Sequence, residues 1–184
     1  MGLLREWRDD RARRRRAAAF ASAIQVDPHE STVRWLAEVG TNGDEDHARW
    51  ELRYARRAIG LLVARRDALD DRTPSLVASA LAECFARDQR IDPAKREVAE
   101  RQFNIRLRAY REAMAHRERP VSTAERLAEM LLAFAGQVAI AGDERVRRGA
   151  EILAEYMAEA HEALRREFGE ASLPEDVLPS TLTS

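Results

Sequence analysis

From Thr73 to Met114 the apolar residues recur at helical intervals in two blocks separated by a polar turn. Leu76, Val77, Ala80, Leu81, Cys84 and Phe85 form the first ladder, and Ala99, Phe103, Leu107, Tyr110 and Met114 the second. Spacings of three and four place each set on one face of a helix that turns about 100° per residue. Between them, Arg90-Ile91-Asp92-Pro93 supplies an N-cap and a first helical position, where the N–H that proline lacks would be unpaired anyway. The stretch predicts a helix–turn–helix pair with two apolar faces to bury.

The same alternation organises the rest of the chain. Residues 2–25 predict a first helix that is apolar at both ends, through Leu3, Leu4 and Trp7 and through Ala17, Phe20, Ala21 and Ile24. Arg8 to Arg16 are charged on every face, and Arg13, Arg14, Arg15 and Arg16 sweep about 300° of helix surface, so that turn has no core side. Phe20 and Ile24 can dock on a body, and the near end then projects about 20 Å at 1.5 Å per residue. Asp27-Pro28-His29-Glu30 predicts a reciprocal capping box opening a short helix through Val33, Leu36, Ala37 and Val39, stopped at Gly40. Asp44-Glu45-Asp46 suit the positive end of a long helix over 45–71. Leu52, Ala55, Ile59, Leu62 and Leu69 make its seam, interrupted by Arg66. Tyr54, Ala58, Leu61 and Val63 spread the apolar surface nearly all round, as in the central helix of a bundle.

Beyond Pro120, Ser122-Thr123-Ala124-Glu125 repeats the capping box. Leu127, Met130, Leu131, Phe134, Val138 and Ala141 follow as one face ending at Gly142. Asp143 caps a last helix with the seam Val146, Ala150, Leu153, Met157, Ala160, Leu164 and Phe168, and Gly169 suits its C′ position. Strand signals are absent, and the expected fold is an all-α bundle of about seven helices. Short helices start after Asp27, Thr73 and Ser122 and long ones near Asp44, Asp92 and Asp143, which reads as three successive short–long hairpins in a compact bundle. The expected organisation is an Arg-rich arm over 1–26, a bundle over 27–169 and a flexible tail over 170–184.

The turn Ala86-Arg87-Asp88-Gln89-Arg90-Ile91-Asp92-Pro93, with a helix on each side, resembles the inter-helix turn of the tellurite-resistance TerB-like helical domains. Asp88, Ile91 and the Asp92-Pro93 step match that family's turn. Gln89 stands where the family has Gly, and Lys95 where it has Glu. Ala141-Gly142-Asp143-Glu144-Arg145-Val146 echoes the turn more faintly, with Ala150 in the acidic slot. The resemblance covers about a third of the chain. It implies an all-helical bacterial stress-associated module with an acidic metal site, and no ligand residues carry over.

Composition narrows the chemistry. The 184 residues carry a formal charge of −1, with both signs interspersed, so there is no global bias toward nucleic acid. Arginine outnumbers lysine thirty to one, which GC-rich codon usage explains more simply than guanidinium chemistry. Locally the balance shifts: Met1 to Arg16 holds seven arginines against Glu6, Asp9 and Asp10, a charge of +4. The single Cys84 lies on an apolar stripe and reads as a small buried hydrophobe that cannot form an internal disulfide. No run reaches the roughly 18–20 apolar residues that span a bilayer, and the N-terminus lacks the h-region and cleavage site of a signal peptide. The expected compartment is the cytoplasm, with peripheral membrane contact open.

Catalytic constellations do not emerge. His47 and Glu51 stand four apart beside Asp44, and Glu112 and His116 share that spacing. Each pair offers two ligands on one face, and a metal needs more to converge from elsewhere. On charged helices such pairs are ordinary side-chain contacts. There is no Glu-x-x-His for a di-iron site, no glycine-rich phosphate loop and no activated nucleophile. No cofactor is expected. The first expectation is a non-catalytic interaction or assembly module that docks on a protein partner, or on its own copies, through the N-terminal helix. The second is an anionic-surface binder holding membrane or nucleic acid through Leu3, Leu4, Trp7, Arg11 and Arg13 to Arg16. The third is a metal-dependent helical enzyme centred on His47, Glu51 and Asp44.

Overall fold

A computed structural model describes residues 2–68, 70, 72–115, 121–138 and 142–169, with side chains from Glu6 onward. Among the described residues there are seven α-helices and no strand: α1 Gly2–Ala23, α2 Glu30–Val39, α3 Glu45–Asp67, α4 Arg72–Arg87, α5 Arg96–Ala115, α6 Thr123–Phe134 and α7 Glu144–Phe168. None of them is long and apolar enough to cross a membrane.

Local chemistry sets most of the boundaries. Asp44 accepts the His47 N–H at 2.9 Å and opens α3. Ser122 and Glu125 form the expected reciprocal box at α6, and Asp143 caps α7. Asp92 accepts the Ala94 N–H, and Pro93–Lys95 make one 3₁₀ turn that leads into α5. Two starts differ from expectation. At α2 the cap is the His29 ring, which accepts from the Ser31 N–H, because Asp27 and Glu30 are drawn away to arginines of α3. At α4 the cap is Asp70 rather than Thr73, accepting both the Thr73 N–H at 2.6 Å and its hydroxyl at 3.0 Å. Helix α3 ends at Asp67, short of 71, where Ala68 turns to an extended conformation with its N–H still bonded to the Ala64 carbonyl.

Two further boundaries turn on glycine. The face expected to run from Leu127 to Ala141 stops at Phe134, because Gly136 takes φ +91°, the left-handed region glycine enters without penalty. Val138, placed on that face by its spacing, is 86% exposed; Ala141 is outside the described residues. Gly40 ends α2 by close packing instead: a Cβ there would stand 2.8 Å from the Ala135 Cβ and from the Leu36 carbonyl oxygen. Its own carbonyl accepts from Gln137 Nε2 at 3.0 Å.

The core forms around α3. Leu52, Ala55, Ile59 and Leu62 are buried as expected, and Tyr54, Ala58, Leu61 and Val63 with them, so α2, α4, α5, α6 and α7 all find apolar surface on it. Leu36, Leu52, Leu81, Leu127, Leu131 and Leu153 are almost fully enclosed, each side chain stabilising by about 1.5–3 kcal/mol. The helices 2–3 and 6–7 pack as hairpins, but α4 and α5 do not close on each other as their spacing predicts. They meet where the Phe85 and Phe103 rings lie 5.2 Å apart over Tyr54. Beyond that, α4 leans on α1 and α5 on α3 and α6. A groove of about 270 Å³ lies between them, lined by Leu61, Leu81, Phe85, Phe103, Asn104 and Leu107 among others. Cys84, expected to be buried, is half-buried and free.

Candidate functional site

The arm is held from its far end. Ala17, Phe20, Ala21 and Ile24 are buried, and all but Ala21 sit in the same core cluster as the bundle. Ile24 rests on Gly60 of α3, where a Cβ would come within 2.7 Å of the isoleucine side chain. Contact extends further toward the N-terminus than a free spur would show: half-buried Asp10 pairs with Arg14 at 2.8 Å and with Arg72 of α4. The Arg14 hydrogen bond is the main reason the Asp10 carboxyl lies below its ordinary value. Trp7 is 60% exposed, and the Arg11 guanidinium stands 5.5 Å over its ring. Arg11, Arg13, Arg14, Arg15 and Arg16 are all exposed. One helix therefore brings Trp7 and the arginine run together on open surface. The side chains of Leu3 and Leu4 are outside the described set.

His47, Glu51 and Asp44 do not assemble as ligands. The Asp44 carboxylate is occupied by the α3 cap. His47 Nε2 lies 3.3 Å from Glu51, but Glu51 is buried and both its oxygens face Arg106 of α5, one of them 2.8 Å from Nε. A cation there would have to displace a guanidinium. Among the described residues no group of three or more His, Cys, Asp and Glu side chains could hold a metal ion. His116 is outside the described residues.

Sequence spacing missed a layer of buried arginines. Arg57 is 1% exposed, donates to Asp88 at 2.8 Å and lies 4.6 Å over the Phe85 ring. Asp88, the aspartate of the resemblance-bearing turn, also takes Arg90 through Nε at 2.7 Å. Arg90 reaches Asp27 at 2.7 Å, and Asp27 holds Arg53 at 2.8 Å. The α1–α2 link, α3 and the α4–α5 turn are thus tied by one chain of ion pairs. Burial pushes the Asp88 carboxyl up, yet the hydrogen bonds from Arg90 and Arg57 outweigh it and leave it far below the usual carboxylate range. Burial lowers Arg57, partly offset by the Asp88 hydrogen bond. Arg106 fills the space between Tyr54, 5.1 Å away, and Phe134, 4.6 Å away. A signal was present: Arg53 and Arg57 interrupt a helix apolar on nearly every side, and Arg106 falls between Phe103 and Tyr110 on the α5 ladder. The interruption that the spacing singled out, Arg66, is exposed and pairs with neighbouring Asp67 at 2.8 Å.

This layer is suited to holding helices in register, not to proton transfer. Its acids are locked to guanidinium groups, which do not deprotonate in proteins. Burial drives the Tyr110 hydroxyl far above its ordinary value and Tyr156 up to about 12, so neither serves as a base near neutrality. Comparison with known proteins finds no family model, no curated protein and no solved structure that matches this chain.

Proposed function

We propose that the chain is a non-catalytic helical module that docks on a protein partner through α1. The observation that carries this reading is Trp7, an indole left 60% exposed on a helix whose other end is anchored by fully buried Phe20. Large aromatics and arginines are the residues that most often dominate binding energy at interfaces, and here they share one exposed surface. The buried arginine layer supports the same reading, since its acids are held by guanidinium groups and it ties the α1–α2 link to α3. The turn resemblance to TerB-like domains points to the same kind of all-helical, cytoplasmic, bacterial module.

The test is an equilibrium-binding comparison of the full chain, Trp7→Ala and the chain without residues 2–9 against partners recovered by cross-linking. Binding should fall in both variants while the thermal midpoint holds. Unchanged binding would sink the proposal. A second reading follows from the stacked Arg11–Trp7 pair beside four exposed arginines: the same surface would hold anionic lipid or nucleic acid. Co-sedimentation with acidic vesicles and with DNA separates the readings, because that binding should weaken steeply as salt rises.

A further inference from the structure

We propose that the outward face of α5 pairs with the same face of a second copy of this chain, antiparallel and about a two-fold axis at Asn104. The reasoning is independent of the arm. Two pairs of opposite charge on this face are symmetric about Asn104: Glu100 and Arg108 lie four residues to either side, Glu97 and Arg111 seven. Glu97 and Glu100 precede the asparagine and Arg108 and Arg111 follow it, with Arg101 the one exception, so an antiparallel copy sets each of these two acids across from an arginine, whereas a parallel copy sets like against like. A two-fold contact requires such self-complementarity. The helix dipole accounts for Glu97, in the first turn. It does not account for Glu100, which lies beyond that turn.

Apolar surface borders both sides of this charged strip. Among the described residues the exposed large apolar side chains include Val98 at 51% and Ile105 at 48%, one heptad apart on α5. On the other side lies the α4–α5 groove with Phe103 and Leu107. A shallow depression lined by Glu97, Glu100, Arg101, Asn104, Ile105 and Arg108 runs between the borders. Glu97 is satisfied within the chain by Arg101 at 2.8 Å, in an exposed pair that can exchange partners. Glu100 and Arg108 form no ion pair among the described residues. Twenty residues of helix give each copy about 30 Å of contact length.

Sedimentation equilibrium of the full chain tests this directly. The wild type should associate reversibly to a dimer and no further. Glu100→Arg alone and Arg108→Glu alone should each weaken the dimer about tenfold or more by placing like charges across the axis. The two together should restore it, which a loss of folding in either single variant cannot mimic. Asn104→Cys in a Cys84→Ser chain should form a disulfide-linked dimer under mild oxidation. A wild type monomeric up to its solubility limit, or a dimer indifferent to both reversals, would overturn the proposal. So would a dimer lost on removing residues 2–9 and kept in Glu100→Arg, since the arm would then be the contact.

Discussion

Two sets of arginines in this chain behave in opposite ways. Arg13 to Arg16 are consecutive, conspicuous in the sequence and wholly exposed, while Arg53, Arg57 and Arg106 are scattered among apolar residues and buried. The outer set touches little of the fold; the inner set ties α3 to the α1–α2 link, to the α4–α5 turn and to α5. A run of like residues on consecutive positions must wrap a helix and therefore face solvent. Arg57 and Arg106 sit on apolar faces that enter the core, and each meets a carboxylate there, Asp88 and Glu51, because an uncompensated buried charge is costly. A carboxylate supplied by a neighbouring element, rather than abundance, separates the buried arginines from exposed Arg66.

Breaking the inner set should give the largest effect. Asp88→Ala leaves the Arg57 charge buried without its carboxylate, and chemical denaturation should show a loss of about 3–5 kcal/mol. Arg57→Met removes the cation itself and leaves Asp88 with Arg90, so its cost should be clearly smaller; equal losses would show that the pair is not the source. Gly60→Ala probes the seat of α1. Overpacking against Ile24 costs about 1–3 kcal/mol, while the gain in helix propensity returns about 1, so the denaturation midpoint should still fall.

Acid should act next. The folded Asp88 value lies below its ordinary 3.8, so its contribution is fully present above that pH and is lost as pH falls toward the folded value. The wild-type stability curve should descend below about pH 4, and part of that descent should be missing in Asp88→Asn. The smallest effect belongs to the outer set. Replacing Arg13, Arg14, Arg15 and Arg16 with glutamine should leave the denaturation midpoint unchanged while weakening docking through α1. A large fall in the midpoint would erase the contrast between the two sets.

Helix identity and most caps could be read in the sequence because they depend on neighbours three or four positions away. Ser122 with Glu125, Asp143 and Asp44 behave as their local chemistry dictates. Asp27 shows the limit: its spacing fits a capping box, but Arg53, 26 positions on, competes for the same carboxylate and wins. Periodicity says that α4 and α5 have apolar faces without saying which neighbour each will cover, so the splay that opens the groove was not accessible. The candidate docking residues fared differently. Exposure of Arg13 to Arg16 was legible because that helix turn has no apolar side at all, whereas the spacing gave Trp7 only as an apolar position at the near end.

Gly40 and Gln137 are joined across 97 positions. On the ribosome the first three helices emerge long before α6 exists, so the end of α2 has to remain unlatched while most of the chain is being made. The early helices can gather around α3 before that, and the clasp fastens once α6 and the turn after it have been made. The order of synthesis thus makes the last third of the polypeptide the part that finishes the first.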